Sequence, residues 1–373
     1  MRTATWASAA LASTFLLGAC GEEDAPGCAG RDSDDNVTLC EPDVGFQLAT
    51  PAFEVPQGTE VQDCHFFEVP DLGTDSVYVD HIEVAQNDGT HHMNLFRVNT
   101  VVGLDGEPGD VVHGADAGED GEPPGECWRS GNWADWPLVI NSQESRPTSV
   151  NPDDTASAGY FDWTLPAGVA HRFAPGEKLM LQTHYVNSSI GAQTTGNGFG
   201  KVAVNFHVVP EADVEHELGT AFATNQSICV CPGEQDKSFE ASCQLSRPTD
   251  DDITIVAANG HFHSSGDRFD MFTYDASGER AADPFYTSTV WDDPPMDRGI
   301  AVAVPPGGGV QYECTYSVED GECGTETQHM AASCSGAPQP DCGCFTFGGH
   351  VEHQEHCNIF VYYYPKFRDV GCF

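Results

Sequence analysis

The chain has 373 residues, with 58 acidic against 15 basic side chains and a formal net charge of −43. So strong a negative field opposes nucleic acid and anionic lipid headgroups as partners, and it concentrates cations around the molecule. An acidic surface also keeps a protein soluble, so the charge by itself assigns no chemistry.

Residues 1–20 read as an export signal. Arg2 forms the basic start, Ala7 to Leu17 is an apolar run rich in small residues, and Leu17-Gly18-Ala19-Cys20 resembles a bacterial lipobox. That motif implies cleavage before Cys20 and lipid on Cys20, which places the protein at the bacterial cell envelope as an exported, lipid-anchored chain. No later stretch approaches the roughly 18 apolar residues of a spanning helix, so the lipid is the expected membrane attachment. Residues 21–43 are acidic, Gly-rich and poor in apolar side chains, and read as a flexible tether. The mature body of about 350 residues is too long for one ordinary core and predicts two domains.

Short alternating runs then dominate. Ser76 to Val84, Leu179 to Tyr185 and Lys201 to Val208 each have period two, are rich in β-branched or aromatic residues, and are bordered by Gly, Pro, Asn or Asp. Helical periodicity is nearly absent. The expected fold is all-β, two tandem β-sandwich domains of jelly-roll-like type, with a boundary near Pro210-Glu211 that gives domains 44–209 and 210–373.

Fifteen cysteines in an exported chain imply a disulfide framework. Setting Cys20 aside leaves an even fourteen. Cys229-Val230-Cys231 and Cys342-Gly343-Cys344 have one-residue spacing, which is not that of a zinc knuckle, so disulfides are expected there too. The pairing of Cys28, Cys40, Cys229, Cys231, Cys323, Cys334, Cys342 and Cys344 stays open, although Cys28 and Cys40 are placed to close a small loop.

The histidines carry the chemistry. His91-His92-Met93, Thr183-His184-Tyr185 and His261-Phe262-His263 fall in strand-like segments, and His350, His353 and His356 precede Cys357. Neutral imidazole is the commonest protein ligand for copper and zinc. On a strand, His261 and His263 share a face while Phe262 packs inward. Adjacent His91 and His92 share a face only across a bend or bulge. His65, His81, His113, His171, His207 and His216 read as ordinary core or surface residues. A zinc hydrolase helix of the His-Glu-x-x-His type is absent.

Asp88-Gly89-Thr90-His91-His92-Met93-Asn94-Leu95-Phe96, Gln182-Thr183-His184-Tyr185, Gly260-His261-Phe262-His263 and Glu355-His356-Cys357-Asn358-Ile359-Phe360 resemble, in order and spacing, the copper type II, ascorbate-dependent monooxygenases. That family includes the peptidylglycine α-hydroxylating and dopamine β-monooxygenases, and the resemblance spans roughly residues 45–373. It implies two β-sandwiches facing a solvent-filled cleft, each holding one copper. His91, His92 and His184 match the electron-donor copper. His261 and His263, with His356 as third ligand, match the copper that activates dioxygen and so the catalytic site. It further implies disulfides Cys64–Cys127, Cys243–Cys372 and Cys314–Cys357.

Two departures stand out. The family has methionine where this chain has His356; an imidazole is harder than a thioether and shifts preference toward Cu(II) or zinc. His350, His353 and Met330 are alternative or supporting groups for that site. The arginine and tyrosine that grip a substrate carboxylate in the peptide-hydroxylating member are Asn259 and Phe360 here, which argues against a C-terminal glycine peptide. The expectation is a monooxygenase using two copper ions, dioxygen and ascorbate or another reductant on an uncharged or cationic small molecule. The competing expectation is a non-catalytic copper-binding or copper-buffering envelope lipoprotein.

Overall fold

The computed structural model describes residues 30–31, 36–87, 89–98, 106–113, 136–143, 160–187, 198–324, 334, 343–349 and 351–372. The signal segment with Cys20, and Cys28, Cys127, Cys342, His350 and Met330, lie outside the described residues. No α-helix occurs among the described residues, and none there is long and apolar enough to cross a membrane. The expected all-β, disulfide-rich fold is present as two β-sandwiches packed against each other.

Strand Val77–Gln86 shows how side-chain period builds the sheets. Val77, Val79, Ile82 and Val84 are buried, while Tyr78, His81 and Glu83 stay partly exposed on the other face. The alternation slips at Asp80. The neighbouring strand pairs His207 with His81 and the next residue, Val208, with Val79, so Asp80 is the extra residue of a β-bulge.

The first sandwich joins a sheet of order His216–Glu217, Val169–Phe173, Val77–Gln86, Val202–Val209 and Gly45–Ala49 to a second sheet. Tyr160–Thr164 also pairs with Val77–Gln86. The second sheet runs Val111–His113, Glu60–Glu68, Lys178–Val186, Thr90–Arg97 and Leu138–Ser142. In the second sandwich, a sheet of order Asp297–Val304, Ile253–His261, Asn358–Tyr364, Gly219–Thr224 and Val370–Cys372 faces a sheet of order Lys237–Gln244, Gly309–Tyr316, Gly266–Tyr274 and Tyr286–Ser288.

Two sequence expectations shift. The tether over 21–43 is docked at its far end: Asn36 and Val37 are buried, and the Val37 amide donates to Asn87 Oδ1 at 2.8 Å. An acidic, Gly-rich composition hides that one apolar side chain and one amide find partners on the sandwich. The first sandwich also reaches past Pro210, because His216–Glu217 adds to it in parallel beside Val169–Ala170.

Four disulfides staple the second sandwich: Cys229–Cys334, Cys231–Cys344, Cys243–Cys372 and Cys314–Cys357. Cys40, Cys64 and Cys323 are also disulfide-bonded. The bridges span 43 to 129 residues, so on a chain-entropy account each removes on the order of 4 kcal/mol of unfolded-state freedom.

The seam between the sandwiches is apolar at its centre. Phe222, Val256, Ala257, Met296, Phe360 and Tyr362 of the second belong to one core with Phe96, Leu138 and Trp163 of the first. Polar groups cross it in pairs. Tyr362 Oη donates to Asn141 Oδ1 at 2.7 Å and accepts from the Asn141 amide at 2.9 Å, while Thr220 Oγ1 donates to the Leu138 carbonyl at 2.7 Å.

Candidate metal centre

At one end of this seam the histidine clusters converge. Strands Lys178–Val186 and Thr90–Arg97 pair antiparallel with His184 opposite His92 and Tyr185 opposite Thr90. His91 is left between those pairs as the extra residue of a β-bulge, the distortion that two adjacent histidines on one site demand. From the facing sheet, Ile253–His261 ends on His261, and His263 follows two residues later on the same side. Phe262 between them is fully buried in the core of the second sandwich. His356 is held by its neighbours: Cys357 is bridged to Cys314, and Tyr316 Oη donates to the His356 carbonyl at 2.5 Å.

All six histidines come together and all are buried, none exposed by more than 5 %. Within the first set, ring centroids lie 5.3 Å (His91–His92), 5.1 Å (His91–His184) and 5.0 Å (His92–His184) apart. Within the second they lie 5.1 Å (His261–His263), 5.1 Å (His261–His356) and 4.3 Å (His263–His356) apart. The sets also touch each other, with His91 at 4.8 Å from His261 and 5.5 Å from His263, and His92 at 5.1 Å from His261. The solvent-filled cleft that the family resemblance implies is therefore replaced by a contiguous buried cluster, because the apolar seam draws the two sheets into contact.

Neighbouring polar groups orient three of the rings. Burial would raise the Glu60 carboxyl, but the hydrogen bond and charge of His184, with help from His263, hold it below the usual carboxylate range. An ionised carboxylate only accepts, so His184 Nε2 donates to Glu60 Oε2 at 3.0 Å. Gln143 Nε2 donates across the seam to the Gly260 carbonyl at 3.3 Å, which turns Gln143 Oε1 toward His261 Nδ1 at 2.7 Å. His261 therefore carries its proton on Nδ1, and its Nε2 meets His356 Nδ1 at 3.1 Å. The Gln354 carbonyl does the same for His263, accepting from Nδ1 at 2.9 Å.

Burial, and then the neighbouring rings, push His91, His92, His261 and His356 well below the ordinary histidine value. These four rings are thus biased toward the neutral form, which keeps a lone pair on each. His91 Nε2 and His184 Nδ1 are buried without a hydrogen-bond partner, an arrangement that costs about 1–3 kcal/mol per group unless something else is bound. The ligating atoms of His91, His261 and His263 lie within 4.8 Å of one another and could hold a metal ion. Donor type, burial and these unmatched nitrogens all fit a borderline transition metal.

His353, an alternative ligand by sequence, is not in the cluster. Its side chain is 52 % exposed and bonds the Cys323 carbonyl at 3.1 Å. Sequence reasoning missed Glu60, Gln143 and Glu355. Glu355 is fully buried and accepts the amides of His263 and Ser265 at 2.9 and 2.8 Å, which shapes the turn after His261. Burial pushes its carboxyl up to about 7. The Glu60-Val61-Gln62 alternation at the start of strand Glu60–Glu68 is the one sequence signal near this site; Gln143 and Glu355 gave none. A second triad, Cys229, Cys231 and Cys344, also has metal-binding spacing, but these sulfurs are consumed by Cys229–Cys334 and Cys231–Cys344. A third, His81, Glu83 and His207, joins two histidines that read as ordinary residues in the sequence.

Fold and site together define an all-β, disulfide-stapled protein with a buried six-histidine cluster suited to metal. No protein-family model matches the sequence, and no curated protein matches it. Among solved structures, the chain is similar to the PBCV-1 virus capsid at 9% identity, covering 87% of this chain and 95% of that one with a TM-score of 0.27. It is similar to the naturally occurring empty particles of cowpea mosaic virus at 7% identity, over 97% and 100% of the two chains, again with a TM-score of 0.27. The exported protein XepA of PBSX gives 9% identity, coverage of 78% and 94%, and a TM-score of 0.22. Scores this low say nothing about activity, and the architecture rests on the strand pairing itself.

Proposed function

We propose that this chain is a copper-dependent monooxygenase that hydroxylates an sp3 carbon of an uncharged or cationic small molecule, using dioxygen and ascorbate or another reductant. The observation that carries this reading is the meeting of His91, His92 and His184 with His261, His263 and His356 across the seam. Their order along the chain is that of the copper type II monooxygenases. One oxygen atom enters the new C–O bond and the other leaves as water, while ascorbate gives up two electrons and two protons to become dehydroascorbate.

Copper, when bound, would supply the one-electron chemistry that dioxygen requires. The chain's own residues hold and orient. His91, His92 and His184 form one ligand set, with Glu60 fixing the tautomer of His184. His261, His263 and His356 form the other, with Gln143 and the Gln354 carbonyl fixing theirs. The surrounding core excludes water, which protects reactive species from side reactions. Glu355, whose carboxyl burial raises to about 7 and which accepts the His263 amide, is a buried group able to give or take a proton beside the cluster. The acidic surface favours cationic over anionic substrates.

A second reading is a copper-buffering envelope protein, and the near-complete burial of all six rings favours it. Oxygen uptake with ascorbate and copper, measured above the free-copper background across uncharged and cationic small molecules, separates the two. Substrate-dependent uptake with label from heavy dioxygen in the product supports the enzyme. Tight copper retention without any uptake supports the buffer.

A further inference from the structure

The outer face of the first sandwich carries a cluster that the buried centre does not use. His81 and Glu83 are two residues apart on strand Val77–Gln86 and share its solvent-facing side. Register places His207 opposite His81 on one flank and Asp162 opposite Glu83 on the other. Cross-strand neighbours of this kind have Cβ atoms about 5 Å apart, close enough to share one ion. The bulge at Asp80 sets the phase: with it, His81 faces solvent while Val77 and Val79 still face the core.

The side chains are already gathered. His81 Nε2 donates to Asp162 Oδ1 at 2.8 Å, and His207 Nε2 donates to Glu83 Oε2 at 2.7 Å. Glu83 is steadied from behind by Tyr160 Oη at 2.5 Å and Asn205 Nδ2 at 2.9 Å. The two imidazoles stack at 4.1 Å between centroids and 15° between planes. The ligating atoms of His81, Glu83 and His207 lie within 4.8 Å of one another.

We infer that His81, Glu83 and His207, with Asp162 beside them, form a surface site for a divalent cation of the Zn(II) class. Two imidazoles and one or two carboxylates match the donor preference of zinc and leave a position for water. Side-chain exposures of 26 % for His81 and 29 % for His207 make the ion exchangeable with solvent. The site is independent of the buried cluster, since the inner faces of both sheets of the first sandwich lie between them. The field of a chain with net charge −43 draws cations to it.

Zinc alone is the probe, and equilibrium dialysis of the full chain with elemental analysis is the measurement. Wild type should hold one more zinc ion than His207→Ala or Glu83→Gln, whereas the triple change of His91, His92 and His184 to Ala should keep that ion. Zinc should also protect His81 and His207 of wild type from acylation by diethyl pyrocarbonate at least tenfold, a readout that needs no variant to fold. An unchanged zinc count in both variants, or equal acylation with and without zinc, overturns the site.

Discussion

His91 of the first sandwich lies closer to His261 of the second, 4.8 Å between ring centroids, than to its own chain neighbour His92 at 5.3 Å. Imidazoles that approach more closely across the seam than along their own strand bring the two sets into one cluster. Removing His91 should therefore weaken metal binding by both sets. We expect His91→Ala to lower copper content below that of a clean loss of one ion, as read by elemental analysis after dialysis. Loss of one ion with the other held at wild-type affinity would show the sets to be independent.

Glu60 orients His184 through a single buried bond. Glu60→Gln keeps the shape but replaces an ionised acceptor with a neutral amide, so the preference for a proton on His184 Nε2 weakens. A loss of metal affinity of about 10- to 100-fold is expected, measured by competition with a chelator of known strength. Unchanged affinity would reduce Glu60 to a packing role.

Tyr362 satisfies both the amide and the side-chain oxygen of Asn141 inside the seam. Tyr362→Phe leaves these groups buried and unmatched, at a cost of about 1–3 kcal/mol. Urea unfolding of the metal-free protein reads this directly, and a change below a few tenths would mean that water enters the gap.

Glu355 gives a pH dependence of defined sign. Its carboxyl is raised from 4.5 in the unfolded chain to about 7 in the fold. The stabilisation from its protonation is thus full below pH 4.5 and fades as pH rises to about 7. His91, His92, His261 and His356, lowered from 6.5, act the other way and cost stability as pH falls below 6.5. Comparing Glu355→Gln with wild type, both metal-free, isolates the first effect. Between pH 4.5 and 7 wild type should lose up to the order of 3 kcal/mol relative to the variant, and parallel curves would exclude Glu355 as the titrating group.

What the sequence shows of this molecule follows its local rules. Alternation marks the strands, the adjacent pair His91-His92 forces a bulge, and the His261-x-His263 spacing sets a shared face. What it hides depends on register between distant strands. Glu60 meets His184 only because Gln62 pairs with His184, and Gln143 reaches His261 only because two sandwiches pack. His81 and His207 lie far apart in the chain, and each alone has the look of an ordinary surface residue. Their meeting is decided by strand pairing, which leaves no trace in either segment. The Cys229–Cys334 and Cys231–Cys344 pairings were undecidable for the same reason.

The shared core of the seam has a mechanical consequence. Separating the sandwiches would expose Phe222, Met296, Phe360 and Tyr362 together with the surfaces they cover, and each large apolar side chain contributes about 1.5–3 kcal/mol when buried. A hinge that parted the halves would forfeit on the order of 10 kcal/mol, comparable to the whole stability of a folded domain. The two halves are therefore expected to melt as a single cooperative unit, which calorimetry of the metal-free protein would show as one transition.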